Sequence, residues 1–162
     1  MADSLAIETV VGVVGAGTMG VGIAEVAAAA GHPVRLHDNR PGAAADACTA
    51  LAARLDKRVA RGKVAQADRD ALLARITPTD ALADLAPAGL VVEAIIEDLG
   101  VKQGLLAELE TLVEPGAILA SNTSSLSITA IAAGLSRPQQ MVGMHFFNPV
   151  PVMALVEVVH GL

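Results

Sequence analysis

The sequence has almost no aromatic side chains and a single cysteine. Its 162 residues include two Phe, no Trp and no Tyr, although 53% of all residues are hydrophobic. The core must therefore be built from aliphatic side chains, which favours closely packed helices on a sheet over a sandwich with an aromatic core. A protein that stacks single-stranded nucleic acid on aromatic platforms is excluded. Cys48 stands alone, so the chain predicts no disulfide framework and no thiolate metal cluster, and we expect Cys48 to be a small buried side chain.

The chain also lacks an excess of positive charge, a long apolar run and a targeting signal. Lys and Arg total 11 against 17 Asp and Glu, a formal net charge of −6, which argues against a surface that neutralises nucleic-acid phosphates. No apolar run reaches the ~18 to 20 residues of a membrane-spanning helix, and residues 1–4 lack the basic start of a signal peptide. We therefore expect a cytoplasmic protein without a nucleic-acid or membrane partner, folded as one domain over residues 1–162.

Strands and helices alternate along the chain. The predicted strands cover residues 9–14, 33–37, 75–77, 90–95, 117–121, 141–147 and 154–159, and the predicted helices cover residues 21–30, 43–60, 66–75, 99–113 and 128–134. Ser127 is the expected N-cap of the last helix. Repeated strand-helix-strand units predict an α/β fold with a mainly parallel, doubly wound sheet, closed by an antiparallel C-terminal strand.

A glycine loop follows the first strand. Residues 15–20 read Gly-Ala-Gly-Thr-Met-Gly between a β-branched strand and a helix, which is the context in which this pattern indicates dinucleotide binding. Gly15 would allow the tight turn, Gly17 would let the backbone approach a pyrophosphate, and Gly20 would let the helix lie close to the strand. The alternative is a glycine-rich turn that only packs a helix on a sheet.

A carboxylate ends the second predicted strand. Asp38 lies 18 residues after Gly20, where it could bind a ribose 2′-hydroxyl and repel a 2′-phosphate. This placement favours NAD over NADP, although Arg40, two residues later, leaves the preference open.

His145 is the natural general base, because an imidazole titrates near neutral pH. It lies at the carboxyl edge of the predicted sheet, where residues 93–98 and 121–125 are also expected. Glu157 could orient His145, but a tight hairpin would place Glu157 opposite residue 142. Contact with His145 requires a wider loop, which Pro149 and Pro151 favour because neither can donate to a ladder.

Each of these features has a structural alternative. His145 could be a histidine that is only hydrogen-bonded at a strand end, and Glu157 could lie on the polar face of its strand. Residues 121–125 could form a polar loop that caps the next helix. The His residues have no ligand spacing typical of a metal site, so we expect no metal.

Four motifs resemble the 3-hydroxyacyl-CoA dehydrogenases. They are residues 15–20, 92–97 (Val-Glu-Ala-Ile-Ile-Glu), 121–125 (Ser-Asn-Thr-Ser-Ser) and 145–149 (His-Phe-Phe-Asn-Pro), the last continuing to 155–158 (Leu-Val-Glu-Val), and they cover essentially the whole chain in order. The resemblance implies a Rossmann-like domain of an enzyme that oxidises L-3-hydroxyacyl-CoA to 3-ketoacyl-CoA with NAD. His145 would remove the 3-hydroxyl proton, Glu157 would pair with His145, and Ser124 would hydrogen-bond the reacting substrate.

The same resemblance implies a cofactor site for NAD. Its residues would be Gly15, Gly17, Thr18, Met19, Gly20, Asp38, Ile95, Ile96, Glu97, Lys102, Ser124 and Asn148. The basic stretch 57–63 could meet the phosphates of CoA, but a solvated helix face is the better interpretation of it.

Members of the family continue into a helical domain that supplies a catalytic Asn, part of the substrate pocket and most of the dimer interface. We therefore expect residues 1–162 to be the cofactor domain of a longer homodimeric enzyme, with weak or no turnover alone and an exposed apolar surface. The acyl-CoA substrate could be a simple fatty acyl-CoA or a dicarboxylic one such as 3-hydroxyadipyl-CoA, as in phenylacetate-type degradation. The alternative function is a stand-alone NAD-binding or regulatory module without turnover.

Overall fold

The protein was analysed as a computed structural model that describes residues 5–161. Residues 1–4, on which the expectation of no signal peptide depends, and residue 162 lie outside this described part. No helix within residues 5–161 has both the length and the apolar character needed to cross a membrane.

Seven strands and five α-helices make up the described residues. The strands are β1 (Val10–Val14), β2 (Val34–His37), β3 (Ile76–Thr79), β4 (Ala88–Glu93), β5 (Ile118–Ser121), β6 (Met141–Phe146) and β7 (Val156–His160). The helices are α1 (Thr18–Ala29), α2 (Ala43–Ala60), α3 (Gln66–Ala74), α4 (Leu99–Leu112) and α5 (Ile128–Ala132), and Leu82–Leu85 and Pro138–Gln140 form short 3₁₀ helices.

All the strands join one sheet in the order β3-β2-β1-β4-β5-β6-β7. Neighbouring strands from β3 to β6 are parallel, and β7 pairs antiparallel with β6. This arrangement confirms the predicted doubly wound α/β fold and its antiparallel last strand. The reversal of strand order beside β1 creates the crevice in which such sheets bind ligands.

The central strands of the sheet are buried on both faces. Val11 and Val13 of β1 pack into one apolar cluster with α1 and α2, whereas Val14 belongs to a second cluster with α4 and α5. A strand covered on both sides needs an almost continuous β-branched run, which is the composition of residues 9–14. Cys48 packs against the first cluster but is only half-buried, rather than buried as expected.

Several predicted boundaries were also wrong. Helix α1 begins at Thr18 rather than residue 21, because Gly17 inside the glycine loop is already the N-cap. Strand β3 continues through Pro78 to Thr79. An edge strand tolerates a proline because its outer edge needs no ladder hydrogen bonds. Strand β4 ends at Glu93 instead of residue 95, and β7 begins at Val156 instead of residue 154. Ser127 is the N-cap of α5 as predicted, since its hydroxyl accepts the N–H of Ala130.

Candidate active site

The glycine loop joins β1 to α1 at the carboxyl edge of the sheet. Gly15 has φ of +106°, and a Cβ there would lie 2.5 Å from the carbonyl oxygen of Ala94. At Gly20 a Cβ would lie 1.6 Å from the carbonyl oxygen of Gly15, so only glycine lets α1 approach the loop. At Gly17, by contrast, no described atom lies within 4 Å of the position of a Cβ. Gly15 and Gly20 therefore serve the fold, whereas Gly17 borders open space.

The first turn of α1 faces this open space with free donors. Its N-cap is a glycine and provides no capping side chain, so the N–H groups of the turn are available to a ligand. Together with the positive end of the helix dipole they favour an anionic group such as a phosphate.

Asp38, directly after β2, is 8% exposed and surrounded by donors. Its carboxylate accepts the backbone N–H of Ala16 at 2.9 Å and that of Arg40 at 3.0 Å. The Arg40 guanidinium adds two bonds, at 2.9 and 3.2 Å. The side chain of Arg40 is the main reason that the pKa of Asp38 lies well below its usual range, although burial alone would raise it. Asp38 is therefore a fixed anion beside the glycine loop.

A groove of about 450 Å³ connects these features. Its lining includes Gly15 and Gly17 of the glycine loop, Asp38 and Arg40 after β2, and Ile95 and Ile96 after β4. The exposed fraction of Ile96 is 67%, so the groove presents an apolar side chain to solvent beside the charged Asp38 and Arg40. A long ligand with both anionic and flat apolar parts matches this lining.

A buried ion pair lies under the ends of β4 and β5. Glu93 is 0% exposed and Lys102 of α4 is 1% exposed, and the Lys102 Nζ atom lies 2.9 and 2.8 Å from the two carboxylate oxygens. The Ser121 hydroxyl donates to the same carboxylate, as does the backbone N–H of Ile95 at 3.1 Å. Lys102, which was predicted to line the cofactor site, is thus enclosed, and it stabilises the carboxyl ends of β4 and β5.

Glu97 links the loops that follow β4 and β5. Its carboxylate accepts the hydroxyls of Thr123 and Ser125 and the N–H of Ser124, and it lies 3.4 Å from the Lys102 Nζ atom. Burial would raise the pKa of Glu97, but the Thr123 hydroxyl and the Lys102 ammonium lower it on balance. The loop of residues 121–125 is therefore clamped by carboxylates, in addition to preceding α5.

His145 and Glu157 face each other across the β6–β7 ladder. Their residues are direct partners in the register, and the His145 Nδ1 atom lies 2.9 Å from the Glu157 Oε2 atom. The tight-hairpin alternative was wrong: residues 147–155 form the wider loop, with a cis peptide bond before Pro149. The Phe147 ring packs against the imidazole with centroids 4.5 Å apart.

Ser124, His145 and Glu157 line one cavity of about 320 Å³. The cavity lies between the clamped loop and the outer strands, and His160 of β7 also borders it. Because a carboxylate only accepts hydrogen bonds, Nδ1 of the neutral imidazole of His145 would carry the proton, and Nε2 would be left as an acceptor. The arrangement can take a proton from a hydroxyl and stabilise the resulting imidazolium.

The remaining predicted residues are distributed around these two centres. Thr18 and Asn148 border a third cavity of about 470 Å³, together with Arg58 and Lys63 of the basic stretch. Met19 is partly buried against the first apolar cluster. The geometry brings Ser124, His145 and Glu157 together, whereas it leaves Met19 only partly exposed and encloses Lys102.

One charged residue was missed by sequence reasoning. Glu25, within the small-residue helix α1, is 3% exposed and pairs with Arg54 and, at 3.5 Å, with Arg58. The signal was a lone carboxylate on an otherwise apolar helix, since such a group is buried only when it is paired.

Comparison with known proteins gives a consistent result. A family model described as "3-hydroxyacyl-CoA dehydrogenase, NAD binding domain" matches residues 10–162. The 3-hydroxyadipyl-CoA dehydrogenase of Escherichia coli (strain K12) is 50% identical over 152 residues, which cover 94% of this chain and 32% of that protein. A 3-hydroxybutyryl-CoA dehydrogenase of Mycobacterium tuberculosis is 46% identical, over 94% of this chain and 54% of that protein.

Solved structures share the fold. The (S)-3-hydroxybutyryl-CoA dehydrogenase of Ralstonia eutropha superposes with a TM-score of 0.91 at 43% identity, over 96% of this chain and 55% of that one. The chain therefore spans from about a third to slightly more than half of the length of these relatives.

Proposed function

Because the chain belongs to the family of 3-hydroxyacyl-CoA dehydrogenase NAD-binding domains, we propose that the protein oxidises an L-3-hydroxyacyl-CoA to the 3-ketoacyl-CoA. The observation that carries the proposal is the His145–Glu157 pair, which lines one cavity with Ser124. A general base, its carboxylate and a hydroxyl donor are the groups that proton removal from an alcohol requires.

The residues of the first groove fit NAD. Gly17 leaves space for close approach of a pyrophosphate, the uncapped turn of α1 offers N–H donors, and Asp38 is an anion at the end of β2. We assign the phosphates to residues 15–20, the adenosine ribose to Asp38, and the lining of the site to Ile95, Ile96 and Glu97. The cofactor supplies a hydride acceptor when it is bound.

In the proposed mechanism, the Nε2 atom of His145 accepts the proton of the substrate 3-hydroxyl. Glu157 accepts the Nδ1–H bond throughout and stabilises the imidazolium that forms. The Ser124 hydroxyl donates a hydrogen bond to the reacting oxygen. The Glu97 carboxylate holds Ser124 in place because it accepts the backbone N–H of Ser124 at 3.3 Å. The hydride leaves C3 of the substrate as its hydroxyl becomes a carbonyl.

Loss of the base provides the test. We expect acetoacetyl-CoA-dependent oxidation of NADH by the full-length gene product to fall by roughly 100-fold or more in His145→Ala, because a general base contributes about that much. The affinity for NADH, measured by fluorescence titration, should stay nearly unchanged. His160→Ala is the matched control, since it removes an imidazole that borders the same cavity without a part in the mechanism. Unchanged turnover in His145→Ala would overturn the assignment of the base.

The alternative function is an NAD-binding or regulatory module without turnover. It is favoured by the separation of the two sites, since the residues that line the groove beside the glycine loop differ from those that line the cavity at His145. NADH binding without acetoacetyl-CoA reduction in the full-length gene product would support this alternative.

For the substrate we propose a short or dicarboxylic acyl-CoA, because the two similar proteins named above are 3-hydroxyadipyl-CoA and 3-hydroxybutyryl-CoA dehydrogenases. The first would fit phenylacetate-type degradation. A panel of 3-hydroxyacyl-CoA substrates compared by kcat/KM tests this choice. On family membership alone we also propose a cytoplasmic homodimer, which cell fractionation and sedimentation velocity would test.

A further inference from the structure

The ladder between β5 and β6 stops one residue before Asn122. Its last paired residues are Ser121 and Gly143, and the chain then leaves the sheet toward the loop that Glu97 clamps. Strand β6 nevertheless continues to Phe146. The backbone N–H of Phe146, directly after His145, therefore needs an acceptor that the backbone of β5 no longer provides.

The side chain of Asn122 supplies this acceptor. Its Oδ1 atom lies 2.9 Å from the Phe146 nitrogen, and the Asn122 backbone N–H donates at 2.9 Å to the carbonyl of Glu93. Because the Phe146 partner is a donor, the amide must present oxygen to it, which fixes the orientation of the side chain. Asn122 thus connects β4, in the middle of the sheet, with the end of β6.

The other side of β6 offers weaker support. Phe146 pairs there with Val156 of β7, the outermost strand, whose residues are largely exposed. The loop of residues 147–155 follows immediately. Asn122 is consequently the side chain that hydrogen-bonds the end of β6 to the sheet interior, beside the apolar packing of Phe146, and its neighbour Ser121 is held by the buried Glu93–Lys102 pair.

We propose that Asn122 is a positioning residue for His145, whose side-chain amide fixes the backbone of residues 145–146 so that the imidazole stays paired with Glu157. The consequence for turnover rests on the proposed function. The consequence for the structure does not, because it concerns a backbone amide and a tautomer in the protein without substrate.

Two readouts on the 162-residue chain test the structural part by NMR. In Asn122→Ala we expect the Phe146 amide to exchange with solvent about tenfold faster, as loss of one hydrogen bond implies. We also expect the Nδ1–H signal of His145 to weaken because the tautomer is no longer fixed. Asn122→Asp keeps an acceptor oxygen and should restore the protection of Phe146. Gln103→Ala is the matched control, since it removes an amide bonded to the Ala130 carbonyl at 2.7 Å.

In the full-length gene product, Asn122→Ala should lower kcat by roughly 10-fold to 100-fold, because a small misplacement of a catalytic group has effects of that size. The Kd for NADH should be unchanged. Protection of Phe146 that persists in Asn122→Ala would overturn the proposal, as would lost protection with the His145 tautomer intact. If Asn122→Ala does not fold, Asn122→Gln, which displaces the acceptor by one methylene, takes its place under the same criteria. Absence of turnover in the wild-type protein would contradict the proposed function and leave the NMR outcome to decide on Asn122.

Discussion

Asp38 illustrates how the state of a single residue bears on cofactor selection. Its two oxygens already accept bonds from Ala16 and Arg40, so ribose hydroxyls would have to displace the Arg40 guanidinium, which is 71% exposed. Because the Arg40 side chain lies largely in solvent, ligand hydroxyls can replace it without leaving a buried charge unpaired. The carboxylate that remains would repel a 2′-phosphate, whereas a displaced Arg40 could attract one.

We therefore predict that removing the charge of Asp38 weakens the preference for NADH. In Asp38→Asn the Kd for NADH should rise roughly tenfold or more, since hydrogen bonds to a charged group contribute about 1.5 to 3 kcal/mol. The Kd for NADPH should change less. Asp80→Asn is the control, because Asp80 holds the Gly42 N–H outside the groove. Equal affinity of the wild-type protein for NADPH and NADH would contradict the role given to Asp38.

Individual site residues could be predicted from the sequence where the signal was local. Asp38 lies at a strand end at the expected spacing from the glycine loop, and the structure places it at the groove. Contact between His145 and Glu157 could not be decided, because the register of β7 depends on the conformation of residues 147–155. Burial of Glu25 depends on arginines 29 and 33 residues away on another helix.

At the scale of elements, the junction of β1 and α1 separates two uses of glycine. Gly20 is required by the packing of the helix on its own loop, and Gly17 borders the space assigned to the cofactor. The backbone of Gly17, with φ of −77° and ψ of −174°, is open to any residue. Substitutions at Gly17 and at Gly20, within four positions of the sequence, can thus affect ligand binding and the fold independently.

The matched pair Gly17→Ala and Gly20→Ala tests this separation. We predict that Gly17→Ala changes the free energy of unfolding by less than about 1 kcal/mol but raises the Kd for NADH at least about tenfold, because a methyl group would stand between backbone and pyrophosphate. Gly20→Ala should destabilise the fold by about 1 to 3 kcal/mol or more through overpacking. Chemical denaturation and NADH titration measure both. NADH affinity that is unaffected by Gly17→Ala would argue against a pyrophosphate at this loop.

Element boundaries could be predicted where glycine marks them. Helix α2 spans the predicted residues 43–60, between Gly42 with φ of +78° and Gly62 with φ of +68°. Helix α1 was predicted too short because its N-cap lies within a motif that was assigned to the ligand. Strand β4 was placed two residues too late because residues 94–95 are as apolar as the strand but leave it to form the groove.

At the scale of the whole molecule, two parts of the surface differ in polarity. The carboxyl edge is polar and tied together by buried carboxylates, whereas residues 152–159 expose apolar side chains. The exposed fraction is 77% for Val152 and 58% for both Leu155 and Val158. These side chains form an exposed apolar stretch along the loop before β7 and along β7 itself.

Buried carboxylates also set the acid stability of the molecule. Glu110 of α4 accepts the N–H groups of Ser136 and Arg137 at 2.9 and 2.6 Å. Burial would raise the pKa of Glu110, but these bonds lower it on balance. A pKa lowered by folding contributes stability above the unfolded value of about 4.3 and loses it as the pH falls through the folded value.

We predict that Glu110→Gln lowers the free energy of unfolding by about 1 to 3 kcal/mol at pH 7. The difference from wild type should shrink as the pH falls below about 4, because the carboxyl of the unfolded chain then takes up a proton, and it should be lost once the folded carboxylate is protonated as well. Glu108→Gln, an exposed position on the same helix, removes the same charge and should have little effect. Urea denaturation between pH 3 and 7 measures all three proteins, and a difference independent of pH would contradict the prediction.

The strand order sets the distance between Asp38 and His145 across the sheet. Asp38 follows β2 and His145 lies on β6, and four strand spacings separate these strands. At about 4.8 Å each, the spacings add up to roughly 19 Å. A mononucleotide anchored at Asp38 would not reach the imidazole of His145. The distance across the sheet therefore favours an extended dinucleotide by its length, independently of the chemical groups at its far end.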